Sequence, residues 1–259
     1  MISFFDCVDK SEYPEVHDVQ YDAQYGEKHD IEHIMKGDEL KEYNKVEKGK
    51  SKIYGEDTDL TAFYNGARRA VNDLDGEYSP KINWIIKKIQ EENAKNPNNK
   101  CVIYSSFLAS GQQLLTNRLE ELGLDYAVIN GSLSKKERSE AQRKYNIRPE
   151  DGGVPILLIS KTGGEGLDLK ETRHLFILEP FWNDALMAQV KGRVARFRSH
   201  IHLPKEEQKV HMWSLYMLKP DDREESADSL LKRFAQDKKK WLDAFTEQLK
   251  TVSIENQDC

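Results

Sequence analysis

Val154-Pro-Ile-Leu-Leu-Ile-Ser-Lys-Thr-Gly-Gly-Glu-Gly-Leu-Asp-Leu169 is the stretch that decides the fold class. Its first part, Val154 to Ile159, is an unbroken apolar run rich in branched side chains. That pattern belongs to a parallel strand buried on both faces. The second part is polar. Gly163, Gly164 and Gly166 allow backbone angles that other residues resist and a close approach to a ligand, while Ser160 and Thr162 offer hydroxyls and Lys161 a cation. By composition the loop faces phosphate, although a tight strand-to-helix connection also calls for glycine.

Working downstream, Arg173 to Leu178 is a second short apolar strand, broken by Glu179-Pro180-Phe181-Trp182-Asn183. A basic helix follows. Within it, Gln189-Val-Lys-Gly-Arg-Val-Ala-Arg196 sets Arg193 and Arg196 three residues apart, neighbours on one helical face. Each guanidinium is a permanently charged planar fork that fits phosphate oxygens, so the spacing points at a nucleotide. A helix of this kind can also be a solvated face. Upstream, the patterning predicts helix Pro80 to Glu92, strand Cys101 to Ser105, helix Ser110 to Leu122, strand Tyr126 to Ile129 and helix Lys135 to Tyr145. Strands alternating with helices make an α/β fold: an open, mostly parallel sheet with helices on both faces.

Past the basic helix, Lys209 to Leu218 reads as a last strand and Ser226 to Lys250 as a long amphipathic helix. Leu230, Phe234, Trp241, Phe245 and Leu249 mark the stripe expected to pack on the sheet, with Lys238-Lys239-Lys240 on a solvated face. Before residue 79, Met1 to about Gly55 is polar and tyrosine-rich, with a helix expected near Ile31 to Glu47 that Gly37 weakens. A second helix is expected from Leu60, Phe63, Tyr64, Ala67, Val71 and Leu74, capped by Thr58 or Asp59. The organisation expected is therefore an acidic extension with linker helices at 1–78, a core domain at 79–220 and a packing helix at 221–259.

With 259 residues the chain holds one α/β domain and an extra element, hardly two full domains of this type. A formal charge of −6 excludes a generally basic nucleic-acid coat. Strand contacts must come from a local patch: Lys191, Arg193, Arg196, Arg198, Lys205 and Lys209, with His200 and His202. Acids recur instead from Asp6 to Glu47. Cys7, Cys101 and Cys259 are scattered, which fits neither a zinc cluster nor a disulfide framework, and a reducing intracellular compartment is expected. His174, His200, His202 and His211 are too unevenly placed for a metal site, and none is assigned. No apolar run approaches the roughly 20 residues of a membrane helix, so no membrane partner is expected.

Five blocks in order carry a resemblance: Ser79-Pro80-Lys81-Ile82, then Lys100 to Phe107, then Asn130-Gly131-Ser132 with Lys136, Glu137 and Arg138, then Ser160 to Leu169, then Glu179 through Arg196. From about Ser79 to Leu218 the chain resembles the second RecA-like domain of superfamily two helicases, in the Swi/Snf-like branch. The continuation Arg198-Ser199-His200-Ile201-His202-Leu203-Pro204 is similar to the tail of helicase-like ATPases and transcription factors of large DNA viruses.

The resemblance implies a RecA-like fold in which Arg193 and Arg196 act as arginine fingers on the γ-phosphate of ATP. Gln189 would sense the same phosphate, beside Gly166 and Asp168. Asp168 would orient Arg193 or touch the ribose, or serve only as a helix cap. Ser105, Ser106, Gly131, Ser132, Ser160, Lys161 and Thr162 would face a nucleic-acid backbone, DNA first and RNA left open. ATP and Mg²⁺ would bind only together with a first RecA-like domain, and none by this chain alone. The expected phosphate loop and acidic motif of that first domain have no match here. Asn44 stands where Gly49-Lys50-Ser51 would need a glycine, and no apolar strand precedes Asp38-Glu39. The chain thus reads as half of a motor, with a noncatalytic module in a transcription or replication complex as the alternative. A nucleotide-sugar enzyme on a similar sheet is the weaker third reading, since it leaves the Gln189 to Arg196 block unexplained.

Overall fold

A computed structural model describes residues 15–18, 30–54, 67–69, 71–74, 77–161, 166–181, 184–221 and 223–252. Seven parallel strands form one sheet: β1 (Glu15–Asp18), β2 (Asp30–Ile34), β5 (Lys100–Tyr104), β6 (Tyr126–Ile129), β7 (Ile156–Ile159), β8 (Thr172–Ile177) and β9 (Lys209–Leu218). A two-stranded antiparallel pair, β3 (Asp73–Leu74) and β4 (Glu77–Tyr78), stands apart from it. The sheet order is β1-β9-β8-β5-β7-β6, with β2 pairing β9 beyond the end of β1.

The central strands alternate, and both faces are apolar. On one face Val102, Tyr104, Leu157, Ile159, Leu175 and Ile177 pack under two helices, α4 (Lys135–Asn146) and α5 (Asp184–Val194). On the other, Cys101, Ile103, Ile156, Leu158 and Phe176 meet α2 (Pro80–Lys95) and α3 (Leu114–Glu121). Helices therefore cover both sides, as alternating strands and helices require. Ser79 caps α2 by accepting from Ile82 N–H at 3.4 Å, with Pro80 in the first turn, and Ile82, Ile85, Ile86 and Ile89 form its buried stripe. A reciprocal Ser134–Glu137 capping box starts α4.

Four expectations change. The helix expected from Ile31 is a strand through Ile34, because Ile31 is buried against the sheet and its backbone pairs with β9. Gly37, at φ +52°, then opens α1 (Gly37–Tyr54) instead of weakening a helix interior. Of the helix expected around Leu60 to Leu74, residues 55–66 lie outside the described residues, 67–69 are helical and Leu74 belongs to β3.

The helix expected from Ser110 begins as a π-helical turn, Leu108–Gln113, ahead of α3. The fourth change concerns α6 (Ala227–Val252), whose stripe does not pack as expected. Leu230 is buried and Phe234 half-buried, yet Trp241 is 79% exposed and Phe245 58% exposed. At about 1.5 Å per residue α6 is roughly 39 Å long. Its first turns are anchored by Lys81 Nζ to Asp228 Oδ2 at 3.0 Å and by Ala227 N–H donating to the Tyr43 hydroxyl at 2.7 Å. Its second half stands in solvent.

Candidate functional site

The ends of β5 and β7 and the exposed side of α5 enclose a small pocket lined by Tyr104, Ile159, Ser160, Lys161, Gln189 and Arg193, with Leu186 and Val190 as its apolar wall. Open parallel sheets bind ligands at this place, outside the carboxyl ends of the strands. Gln189 and Arg193, four apart, share one face of α5, and no hydrogen-bond acceptor or carboxylate among the described residues engages the Arg193 guanidinium. Lys161 is exposed and Ser160 buried. Ser160 and Lys161 after β7, and Gln189 and Arg193 on the arginine helix, separate in sequence, thus meet at one pocket.

Arg196 behaves differently from the expected partner on a shared helical face. Regular α5 ends at Val194, and Ala195 N–H still reaches Lys191 O at 2.9 Å. The Arg196 amide instead donates to Ser199 Oγ at 3.2 Å, so the chain leaves the helix there. Its guanidinium remains exposed and donates through Nη1 to the Leu167 carbonyl at 3.1 Å. Neither arginine is buried inward.

Asp168 lies beside that carbonyl, but its carboxylate pairs with Lys170 Nζ at 2.9 Å. Its own carbonyl accepts from Gln142 at 3.0 Å and Asn146 at 2.9 Å. No helix follows Asp168, so it is not a cap, and the backbone next to it, rather than its side chain, engages an arginine. Gly166, exposed at φ +75°, takes a conformation that favours glycine. Thr162, Gly163 and Gly164 lie outside the described residues.

The expected nucleic-acid contacts divide. Gly131 and Ser132 form an exposed turn in which Ser132 N–H and Oγ both engage Asn130 Oδ1, at 3.0 and 2.6 Å. Ser105 is fully buried, its hydroxyl 2.9 Å from Glu179 Oε1 and 3.0 Å from the Phe107 carbonyl. It cannot reach a strand backbone from there. Ser106 is half-buried, and its amide donates to Glu179 Oε2 at 2.8 Å.

Glu179 stands in the sequence without an expected role of its own. It accepts from Asn72 Nδ2 at 2.6 Å, while Arg68 donates to the neighbouring Pro180 carbonyl at 2.8 Å. Burial pushes its carboxyl above the usual range, against the pull of Lys81, Arg68 and the Ser105 and Ser106 donors. Arg68 and Asn72 are thereby fastened to the loops after β5 and β8. Only its charge within an apolar run hinted at this.

The family described as helicase conserved C-terminal domain matches residues 80–198. The L538 protein of Acanthamoeba polyphaga mimivirus, provisionally named an ATP-dependent RNA helicase, is 38% identical over 179 residues, 69% of this chain and 38% of that protein. The termination factor NPH-I homolog of African swine fever virus (isolate Tick/South Africa/Pretoriuskop Pr4/1996) is 46% identical over 87 residues, 33% of this chain and 12% of that protein. Among solved structures, the Sulfolobus solfataricus SWI2/SNF2 ATPase core in complex with dsDNA is similar with TM-score 0.54 at 19% identity, covering 75% of this chain and 42% of that one. The chain spans well under half the length of these curated relatives.

Proposed function

We propose that the chain, whose residues 80–198 match the helicase conserved C-terminal family, is the second RecA-like domain of a Swi/Snf-like superfamily two protein of the kind carried by large DNA viruses, and that it supplies the arginine half of an ATP-dependent DNA translocase or helicase. The observation that carries this reading is the pocket where Gln189 and Arg193 face Ser160 and Lys161. Its donors are a guanidinium, an ammonium, an amide and a hydroxyl, a set that suits phosphate oxygens. Magnesium prefers carboxylates and water, so its ligands would come from a first RecA-like domain. ATP would supply the phosphoryl group transferred to water, and Mg²⁺ would neutralise the charge developing on its phosphate oxygens.

In this reading Arg193 stabilises charge on the transferred phosphoryl oxygens, Gln189 reports their presence, and Arg196 approaches from the Leu167 carbonyl that steadies it. The exposed Gly131–Ser132 turn and Lys161 contact the nucleic-acid backbone, which implies movement along a strand and not sequence reading. DNA is proposed over RNA. The solved core named above is described with double-stranded DNA, while the mimivirus relative is named for RNA.

The test is complementation. Joined to an ATP-binding first domain, the chain should give ATPase stimulated by DNA more than by RNA, and alone it should give none. Loss of stimulated turnover in Arg193→Ala and Arg196→Ala, with unchanged unfolding, supports the reading; unchanged turnover, or Mg²⁺-dependent ATPase by the chain alone, sinks it. The exposed Trp241 and Phe245 favour a second reading, a noncatalytic module that docks a transcription or replication protein through α6. Complementation with no nucleotide turnover, together with a partner released by Trp241→Ala, would establish that one.

A further inference from the structure

Immediately past the residues matched by the helicase family, Ser199 and His200 are buried, and every polar atom of their side chains is engaged. Ser199 Oγ accepts from the Arg196 amide at 3.2 Å and lies 2.7 Å from the Arg196 carbonyl, so it clamps both backbone groups of one residue. His200 Nδ1 is 2.8 Å from the same hydroxyl, and its Nε2 is 2.7 Å from the Thr172 carbonyl at the start of β8. Glu171 N–H donates to the Ser199 carbonyl at 3.0 Å, closing the connection. Through this chain the loop carrying Arg196 is tied to the sheet.

Counting protons adds a condition. The Thr172 carbonyl can only accept, so Nε2 carries a proton. The Ser199 hydroxyl has one hydrogen, and two acceptors compete for it if the imidazole is neutral: the Arg196 carbonyl and Nδ1. An imidazolium removes the conflict. Nδ1–H then donates to Ser199 Oγ, and the hydroxyl donates to Arg196 O.

We propose that Ser199 and His200 are positioning residues for Arg196, forming a latch that closes fully only when the imidazole is doubly protonated. The inference rests on the reading of Arg196 as a phosphate-facing arginine, and deepens it by naming what regulates its placement. Burial holds the His200 pKa below its usual value, helped by Arg173 and Lys100 and opposed by the Thr172 carbonyl and Glu171. Glu171 is paired with Arg148 at 3.0 Å and Arg173 with Glu207 at 2.9 Å, and His202 lies near Glu171. The second proton therefore arrives only on acidification, and the latch is looser at neutral pH.

Amide hydrogen exchange of the whole chain, read residue by residue by NMR and corrected for intrinsic rates, tests this. Restoring one buried hydrogen bond should raise Arg196 amide protection about fivefold between about pH 8 and about pH 5 in the wild type. His200→Gln keeps a donor for the Thr172 carbonyl but cannot take a second proton, so its protection should be flat with pH. Ser199→Ala should lose protection at both pH values. Equal pH dependence in wild type and His200→Gln, or wild-type protection in Ser199→Ala, would overturn the latch.

The catalytic consequence is read separately in the protein joined to its ATP-binding domain. There His200→Gln should lower kcat about tenfold with little change in KM, since a misplaced charge costs transition-state stabilisation more than binding. An unchanged kcat in His200→Gln, while Arg196→Ala is inactive, overturns the positioning role alone. Full activity of Arg196→Ala would overturn the arginine reading and leave the exchange result standing.

Discussion

Two polar clusters flank the carboxyl end of β5, one beside the end of β8 and the other beside the end of β7, and they are treated in opposite ways. Around Glu179 the Asn72 amide, the Ser105 hydroxyl and the Ser106 N–H converge on a fully buried carboxyl, and Arg68 closes on the next carbonyl. The pocket beside α5 presents Lys161, Gln189 and Arg193 to solvent, with no protein acceptor engaging the Arg193 fork among the described residues. A folded chain satisfies the polar groups it needs for its own cohesion, because leaving them unpaired inside costs about 1–3 kcal/mol each. Groups left open at a concave edge are held for something else. The first cluster fastens Arg68 and Asn72 to the domain; the second is where the proposed phosphate ligand would sit.

The sharpest way to break this comparison is to remove one group from each side. Arg193→Ala should cut DNA-stimulated turnover of the two-domain protein about 10³-fold, roughly 4 kcal/mol of transition-state stabilisation, while its unfolding midpoint stays within about 0.5 kcal/mol of wild type. A stability loss as large as the activity loss would erase the distinction. Gly111→Ala strikes the other cluster. An added methyl would overlap Ser105 Oγ and sit 3.2 Å from Glu179 Oε1, and the hydroxyl cannot swing away without breaking its hydrogen bonds. Overpacking of this kind costs about 1–3 kcal/mol, to be read from urea unfolding of the chain. A neutral Gly111→Ala would mean that the Glu179 cluster is loose.

Much of the sheet was legible because period and length agree with burial. Ile156 to Ile159 is buried at every position, so an unbroken apolar run could only be an interior strand. The arginine helix and the polar residues after β7 were legible as candidates, and Ser160, Lys161, Gln189 and Arg193 line one pocket. What was not legible depends on partners distant in sequence. Asp30 to Ile34 carries charges that read as helix surface, yet backbone pairing with β9 makes it an edge strand, and Lys232 meets Asp30 and Glu32 from α6. Ser105 looked like a strand-end hydroxyl open to a ligand, and only the return of Glu179 from β8 buries it. Trp241 sits on a stripe of ordinary width, and helical periodicity marks a face without saying whether anything lies beneath it.

The smallest effect is the most discriminating, because it asks which protonation state the buried cluster prefers. Ser105 Oγ is within hydrogen-bond distance of Phe107 O and Glu179 Oε1, but its single hydrogen can serve only one of them. A protonated Glu179 settles the competition by donating to Ser105 Oγ, which then donates to Phe107 O. This agrees in direction with burial raising the carboxyl above its usual range. A carboxyl whose folded pKa exceeds its unfolded value binds its proton more tightly in the fold, so the stability it contributes is complete below about pH 4.5 and declines as pH rises through the folded pKa. Glu179→Gln does not titrate, and its amide sets a donor against either Ser106 N–H or the Asn72 amide, at a cost of about 1 kcal/mol. The advantage of the wild type over Glu179→Gln in urea unfolding should therefore be largest at low pH and shrink as pH rises. If the advantage grows with pH instead, the carboxylate is ionised in the fold, and the cluster around 67–72 is held by charge rather than by shared hydrogen bonds.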